Sequence, residues 1–386
     1  MGSAFDRAIA SSFGRPRAVL HVGPSNAAVE EQAARAGARL VTTTGKKGDL
    51  APHVTSFDLL TIEPDTTFIT SENLAMWSTC LTDGGHLLVP YRAGAAPDDA
   101  LAQIRAAGLE PMRIDTGSRM GQRFASRKGF VVVARKRPEP GPLTLTIGML
   151  TLNEEESIER MIDEVRVYAP EAKVLVVDSS SDRTPERATA KGARVIRQLP
   201  PRGHGPAMER LMYEAACDTD ALIYLDCDFT YPADQIPRLR ALLEQGADMV
   251  NATRTHTKPD AMPIPNFIAN RVFAATAQLV HGIATTDVHS GMRAYRSSMV
   301  RAFAFDGEGD ALPLDTLILP ARSNYDVIET PIGYHKRVGE SKLARVRGTL
   351  WSFARIASAI GKGTRVQRGG SFRHLANDPT TQQRNV

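Results

Sequence analysis

Three short polar clusters carry most of the chemistry open to this 386-residue chain. They are Thr151-Leu152-Asn153-Glu154, Asp178-Ser179-Ser180-Ser181-Asp182 and Asp226-Cys227-Asp228. Each follows an apolar run. Two carboxylates at i and i+2 beyond a buried strand approach one hard cation together when the backbone turns there. Mg²⁺ and Mn²⁺ favour such sparse carboxylate sites and complete their shell with phosphate oxygens and water. An isolated Asp-x-Asp is commonly a turn or a helix cap. Here Asp226 directly follows Ala221-Leu222-Ile223-Tyr224-Leu225, and two other polar strand ends precede it. In open α/β sheets, ligands sit beyond the carboxyl ends of strands.

The elements that must hold these clusters alternate strand and helix. Residues 143–150, 173–177, 221–225, 249–251 and 327–332 read as strands. Asn153-Glu154-Glu155-Glu156-Ser157 is expected to open a helix, because acids in a first turn suit its positive end. Ile158, Met161, Ile162 and Val165 fall on the buried face of that helix. Residues 266–280 read as another helix, with Ile268, Val272, Ala275 and Leu279 along one side. Ahead of this unit, the charged, proline-rich run from Arg135 to Pro142 breaks the pattern, and 138–142 reads as a linker. Before it the alternation has already occurred once, with strands over 18–22, 39–42, 57–62, 86–90 and 130–134 and a helix over 28–36. Such alternation implies mostly parallel sheets. The expected fold class is therefore α/β, with two Rossmann-like units.

Composition narrows the partners. Hydrophobic residues are 42% and charged residues 23% of the chain, which excludes a disordered or collagen-like protein. No run of about 18 apolar residues predicts a membrane span. Met1 to Ala10 lacks the pattern of a signal peptide, and Asp6 breaks the myristoylation pattern. Cys80, Cys217 and Cys227 form neither a disulfide framework nor a metal spacing, so a reducing cytoplasm is expected. Net charge is +3 over 1–140, −8 over 141–335 and +9 over the last 51 residues. The acidic centre suits a cation; the basic end is either solvated or anion-seeking. Aromatics at 6%, with no basic stripe among them, argue against nucleic acid.

Residues 1–137 resemble a class I S-adenosylmethionine-dependent methyltransferase domain. Val19-Leu20-His21-Val22-Gly23, Phe57-Asp58-Leu59-Leu60 and the run from Leu81 to Val89 carry the likeness. Its cofactor loop needs several glycines for close backbone approach. Here Gly23 is followed by Pro24-Ser25-Asn26, and the second strand runs into Thr42-Thr43-Thr44 without an acid for the ribose. A non-catalytic scaffold or partner-binding domain is the expectation.

Residues 143–345 resemble an inverting family 2 glycosyltransferase of GT-A fold, nearest to the dolichol-phosphate mannose synthase branch. Beyond the three clusters, the likeness runs through Arg202-Gly203-His204-Gly205, Ala252-Thr253-Arg254, the segment from Asp287 to Arg296, and that from Glu329 to Lys342. It implies a donor nucleoside diphosphate sugar, UDP- or GDP-linked, held by Leu150, Asn153, Glu154, Asp178, Ser180, Gly203, Gly205 and Asp226. Glu154 and Asp178 would accept hydrogen bonds from base and ribose. Asp226 and Asp228 would hold Mg²⁺ or Mn²⁺ on the diphosphate, with Gly203 and Gly205 bringing backbone N–H groups to phosphate. Arg254, Arg293 and Arg337 would clamp phosphate. The milder readings are a first-turn acid for Glu154, surface pairs for Arg293 and Arg296, and structural roles for His289 and His335.

Two acceptors fit. A polyprenyl phosphate is already a nucleophile; a soluble hydroxyl compound benefits from a general base. The resemblance makes Asp315 that base, with Asp310 as runner-up and a helix-terminal acid as the bland alternative. The family's Pro and Tyr are replaced by Leu150 and Leu152, and the Arg and Ser of polyprenyl-phosphate synthases by Pro263 and Phe267. Residues 346–361 read as an amphipathic helix. The apolar stripe running through 343–360 (Leu343, Val346, Leu350, Phe353, Ile360) is flanked by basic residues, suiting either packing on the sheet or peripheral contact with the inner membrane face. Residues 362–386 are expected to be disordered. Two other functions remain in play: a bifunctional glycosyltransferase and methyltransferase, and a non-catalytic nucleotide-sugar binding module.

Overall fold

The computed structural model describes residues 12–64, 69–115, 129–256, 258–308 and 312–336, with Ile356, Thr364–Arg365 and Phe372–His374. The first sheet holds β1 (Ala18–Val22), β2 (Arg39–Thr43), β3 (Phe57–Ile62), β4 (Leu81–Tyr91), β5 (Glu110–Asp115) and β6 (Phe130–Arg135), in the order β5-β6-β4-β3-β1-β2. The pairs among β1 to β4 are parallel, and β6 runs antiparallel between β4 and β5. Helices α1 (Ala27–Ala36), α2 (Lys47–Leu50), α3 (Ser71–Ser78) and α4 (Pro97–Ala106) connect them. Asn26 starts α1 by accepting from the Ala28 and Val29 amides, and Gly37 ends it in the left-handed conformation.

The second sheet holds β7 (Leu145–Thr151), β8 (Lys173–Asp178), β9 (Arg194–Arg197), β10 (Ala221–Leu225), β11 (Met249–Thr253), β12 (Met292–Arg296) and β13 (Val327–Pro331). Their order is β13-β11-β12-β10-β7-β8-β9, with β12 antiparallel to both neighbours. Its helices are α5 (Ile158–Tyr168), α6 (Thr184–Ala190), α7 (His204–Asp218), α8 (Ile236–Glu244), α9 (Ile264–His281), α10 (Ser297–Arg301) and α11 (Leu312–Arg322). Ile158, Met161, Ile162 and Val165 are the buried residues of α5, as their spacing predicts. The helix begins at Ile158, however, so Glu154 to Glu156 precede it, and the first-turn reading of Glu154 is corrected.

α9 turns its apolar stripe away from the core. Its buried residues are Phe273, Ala274, Ala277 and His281. The apolar side read from sequence faces outward, with Ile268 55%, Val272 48% and Leu279 88% exposed.

Within 362–386, the stretch expected to be disordered, two short segments are described. Thr364–Arg365 (β14) pairs antiparallel with β5, and Phe372–His374 (β15) pairs parallel with β13. The rest of 337–386 apart from Ile356, including most of the expected amphipathic helix, lies outside the described residues.

One apolar core is continuous across both sheets, joining Val19, Leu59, Leu88 and Val131 to Leu211, Tyr295, Phe303 and Tyr325. Polar groups are buried in the same contact. Arg301 pairs with Asp58 at 3.2 Å, and His86 Nε2 meets the Tyr325 hydroxyl. Gly84 has φ of 72°, and a Cβ there would come within 2.3 Å of Ser298 Oγ, so only glycine permits this approach.

Candidate functional site

β7, β8, β10 and β11 run in one direction and deliver their following loops to one edge of the second sheet. Asn153 adopts the left-handed conformation (φ 55°), which asparagine tolerates better than most residues. Its amide donates to Ser180 Oγ at 2.7 Å, and its Oδ1 accepts from the Ser181 amide at 2.9 Å. The Glu154 amide donates to Thr184 Oγ1 at 2.8 Å. Ser157 Oγ lies 3.3 Å from Glu154 Oε2 and donates to the Cys227 carbonyl at 3.0 Å. The first and third clusters are thereby tied together.

Asp178 is fully buried. Oδ1 accepts from Thr151 Oγ1 and Ser180 Oγ, both at 2.6 Å; Oδ2 accepts from the Ser180 amide at 3.1 Å and Arg197 Nη1 at 2.6 Å. These donors occupy the acceptor sites a carboxylate offers. Asp178 thereby organises the loop after β8, and Ser180 shares that work.

Asp226 and Asp228 stand just beyond β10. The Tyr224 hydroxyl donates to Asp226 Oδ1 at 2.5 Å. A Cβ at Gly291 would come within 2.2 Å of Asp226 Oδ2, so the absence of a side chain there is what admits this carboxylate. Asp228 Oδ1 accepts from the amide and the hydroxyl of Thr230. Beside them α7 begins, with Gly203 at its cap (φ 99°) and Gly205 buried in its first turn. Unpaired amides at such a terminus attract phosphate. Two hard-oxygen carboxylates next to an anion-seeking helix end fit Mg²⁺ or Mn²⁺ bound jointly by protein and diphosphate. Among the described residues no group of three or more His, Cys, Asp and Glu side chains gathers into a closed cage.

The arginines are placed differently from the expectation. Arg254 forks onto Asp287, with Nε to Oδ2 at 2.7 Å and Nη2 to Oδ1 at 3.0 Å, and Nη2 also reaches the His289 carbonyl at 2.9 Å. Tyr231 and Tyr334 lie against its guanidinium. Burial opposes the Asp287 charge, yet the pull and hydrogen bonds of Arg254 hold its carboxyl below the ordinary value. Arg293 is wholly buried; its guanidinium donates to the Pro313 and Val288 carbonyls and to Thr316 Oγ1. Arg296 is also buried, on the Ala247 and Leu243 carbonyls. Neither is a surface pair, because both guanidiniums are buried and donate to carbonyls around β12. Arg337 and Asp310 lie outside the described residues.

Asp315 sits in the first turn of α11 and is fully buried, which fits the helix-acid reading better than a base open to an acceptor. Leu150 is half-buried at the end of β7. His289 packs edge-on against Phe273, and burial lowers its imidazole to about 4, in keeping with a structural role. The His335 amide donates to the Thr230 carbonyl.

The sequence profile described as Glycosyl transferase family 2 matches residues 146–303. A dolichyl-phosphate hexose transferase of Haloferax volcanii is 36% identical over 219 residues, covering 56% of this chain and 91% of the relative. The chain belongs to glycosyl transferase family 2. It is a glycosyltransferase with two α/β units, the second of GT-A fold, and the reading as a mere binding module is set aside. An undecaprenyl-phosphate mannosyltransferase of Micrococcus luteus is 29% identical over 227 residues, 53% of this chain and 92% of that one. A glucosyl-3-phosphoglycerate synthase of Mycobacterium tuberculosis, solved with Mn²⁺, UDP-glucose and glycerol 3-phosphate, is 25% identical, with a TM-score of 0.46 over 56% of this chain and 80% of its own. That score is too low to bear on the site.

Sequence reasoning about this transferase missed Ser157, Arg197 and Tyr224. Tyr224 had a readable signal: residues i and i+2 of a strand share a face, and that alternation extended one residue past β10 points it toward Asp226. Arg197 had none, since its partnership with Asp178 depends on the register of β8 against β9.

Proposed function

We propose that this family 2 transferase moves a hexose from a UDP- or GDP-linked donor to a polyprenyl phosphate, with a divalent ion held by Asp226 and Asp228. The carrying observation is the pair of carboxylates at the end of β10, set beside the N-terminus of α7. When bound, the ion neutralises charge on the departing nucleoside diphosphate. The chain's own groups do the rest. The loop ordered by Asp178 seats the nucleoside against Asn153 and Glu154, and the amides at Gly203 to Gly205 face the diphosphate. Acceptor attack occurs opposite the leaving group.

A phosphate acceptor is supported over a hydroxyl compound by the burial of Asp315, since phosphate needs no base. The names of the relatives in Haloferax and Micrococcus point the same way. So does α9, whose outward apolar face contains no acid and one arginine, Arg271, as suits a lipid surface. No described helix is long and apolar enough to cross a membrane.

The N-terminal unit is read as a methyltransferase-like scaffold without the cofactor. Support comes from the loop after β1. Asn26 Nδ2 donates to Glu63 Oε2 at 2.9 Å, His21 bridges Thr61 Oγ1 and the Pro24 carbonyl, and Glu63 crowds Gly23. These side-chain contacts tie the loop after β1 to β3 and its end, which supports that reading.

The test is a product screen by mass spectrometry with UDP- and GDP-hexoses, polyprenyl phosphate and soluble alcohols, with and without Mn²⁺. Lipid-linked product that vanishes with EDTA, and that falls by about 10²–10³ in Asp228→Asn, is expected. Product on soluble alcohols alone, or full activity in EDTA, overturns the reading.

A further inference from the structure

Tyr224 is among the largest fully buried side chains of the protein, yet its hydroxyl touches two groups that belong to the site. Asp226 follows the last residue of β10, and the two-residue alternation carried one step beyond the strand sets it on the side of Tyr224. Its oxygen lies 2.5 Å from Asp226 Oδ1 and 3.3 Å from Nε2 of His204, the first residue of α7. The polarity of this chain follows from the groups themselves. A carboxylate only accepts, so the phenolic proton points at Asp226. The phenolic oxygen is then the acceptor, and His204 carries its proton on Nε2. The other Asp226 oxygen lies where a Gly291 Cβ would be. The carboxylate is thus oriented through one oxygen and confined at the other.

Resting on the metal reading above, we propose that Tyr224 is a positioning residue: it presets the Asp226 carboxylate for the divalent ion and, through His204, ties it to the helix end that faces the diphosphate. Ion and phosphate oxygens then share one anchor. Partners of this kind, one bond removed from a ligand, typically change metal affinity 10- to 100-fold when removed.

The test is a Mn²⁺ titration of the full chain followed by electron paramagnetic resonance, with UDP and with GDP, alongside thermal midpoints in EDTA. Tyr224→Phe keeps the ring and loses the hydroxyl. It is expected to weaken Mn²⁺ binding about tenfold while leaving the EDTA midpoint unchanged. His204→Ala weakens binding less, and His204→Gln, which returns an N–H near the Nε2 position, restores it. A purely structural role would not show that rescue. If Tyr224→Phe binds Mn²⁺ like the parent while Asp226→Asn does not bind, the positioning role is overturned and the metal reading survives. If the parent fails to bind Mn²⁺, or Asp226→Asn binds as tightly as the parent, both fall.

Discussion

Arg135 of the first sheet and Asp248 of the second meet at 2.7 Å, with side chains 3% and 0% exposed. Arg135 also reaches Glu110 and lies over the Tyr325 ring, while Asp248 Oδ2 accepts from the Asp326 amide. Breaking a buried pair from one side strands a charge and costs about 3–5 kcal/mol, whereas replacing both partners is far milder. Arg135→Met is expected to lower stability by about that amount in urea denaturation. Arg135→Met with Asp248→Asn is expected to recover most of it. Additive losses would mean that the two residues act separately.

His86 makes the same contact sensitive to acid. Burial, aided by Arg135, Arg113 and Arg301, pushes its imidazole down to about 3. An unfolded histidine titrates near 6.5. Between those values the unfolded chain binds the proton and the folded chain does not, so stability rises with pH. The contribution is complete above about 6.5 and is lost as pH falls toward 3. Urea midpoints are expected to drop between pH 7.5 and 5, and less steeply in His86→Gln. His289, lowered to about 4, keeps part of the slope in that variant. An unchanged slope in His86→Gln would exclude His86 as a source.

Arg254 is spoken for by Asp287, which separates a fold role from a donor-clamping role. Lysine cannot fork onto a carboxylate or stack as a plane. Arg254→Lys is expected to lower the thermal midpoint while donor KM stays within about threefold, because the guanidinium contacts protein groups. A tenfold rise in KM at constant midpoint would restore the clamp.

The outward face of α9 predicts lipid binding that point charges abolish. Burying a large aliphatic side chain contributes about 1.5–3 kcal/mol. Ile268→Glu and Leu279→Glu are each expected to weaken sedimentation with phosphatidylglycerol-containing vesicles by at least about tenfold, leaving the fold intact by circular dichroism. Equal binding by parent and variants would remove α9 from the membrane.

The strands that build the site were visible in sequence because central parallel strands are buried on both faces and read as unbroken apolar runs. That is why 173–178 and 221–225 could be placed, and why the acids beyond them stood out. β12 escaped notice for the opposite reason. Met292-Arg293-Ala294-Tyr295-Arg296 holds two arginines, and the carbonyls that accept from them belong to residues 243, 247, 288 and 313. Three of these four partners lie 20 to 53 residues away, where no local pattern reveals them. In α9 the stripe was legible but its direction was not. Ala274 and Ala277 mark the buried face, and alanine signals no side.

The pairing of β14 with the first sheet and β15 with the second has a consequence for handling the protein. A chain cut near residue 360 would bare two rows of unmatched amides and carbonyls in one stroke, on β5 and on β13. Naked margins of this sort recruit copies of themselves, so the shortened enzyme is expected to elute with more high-mass species than the intact chain.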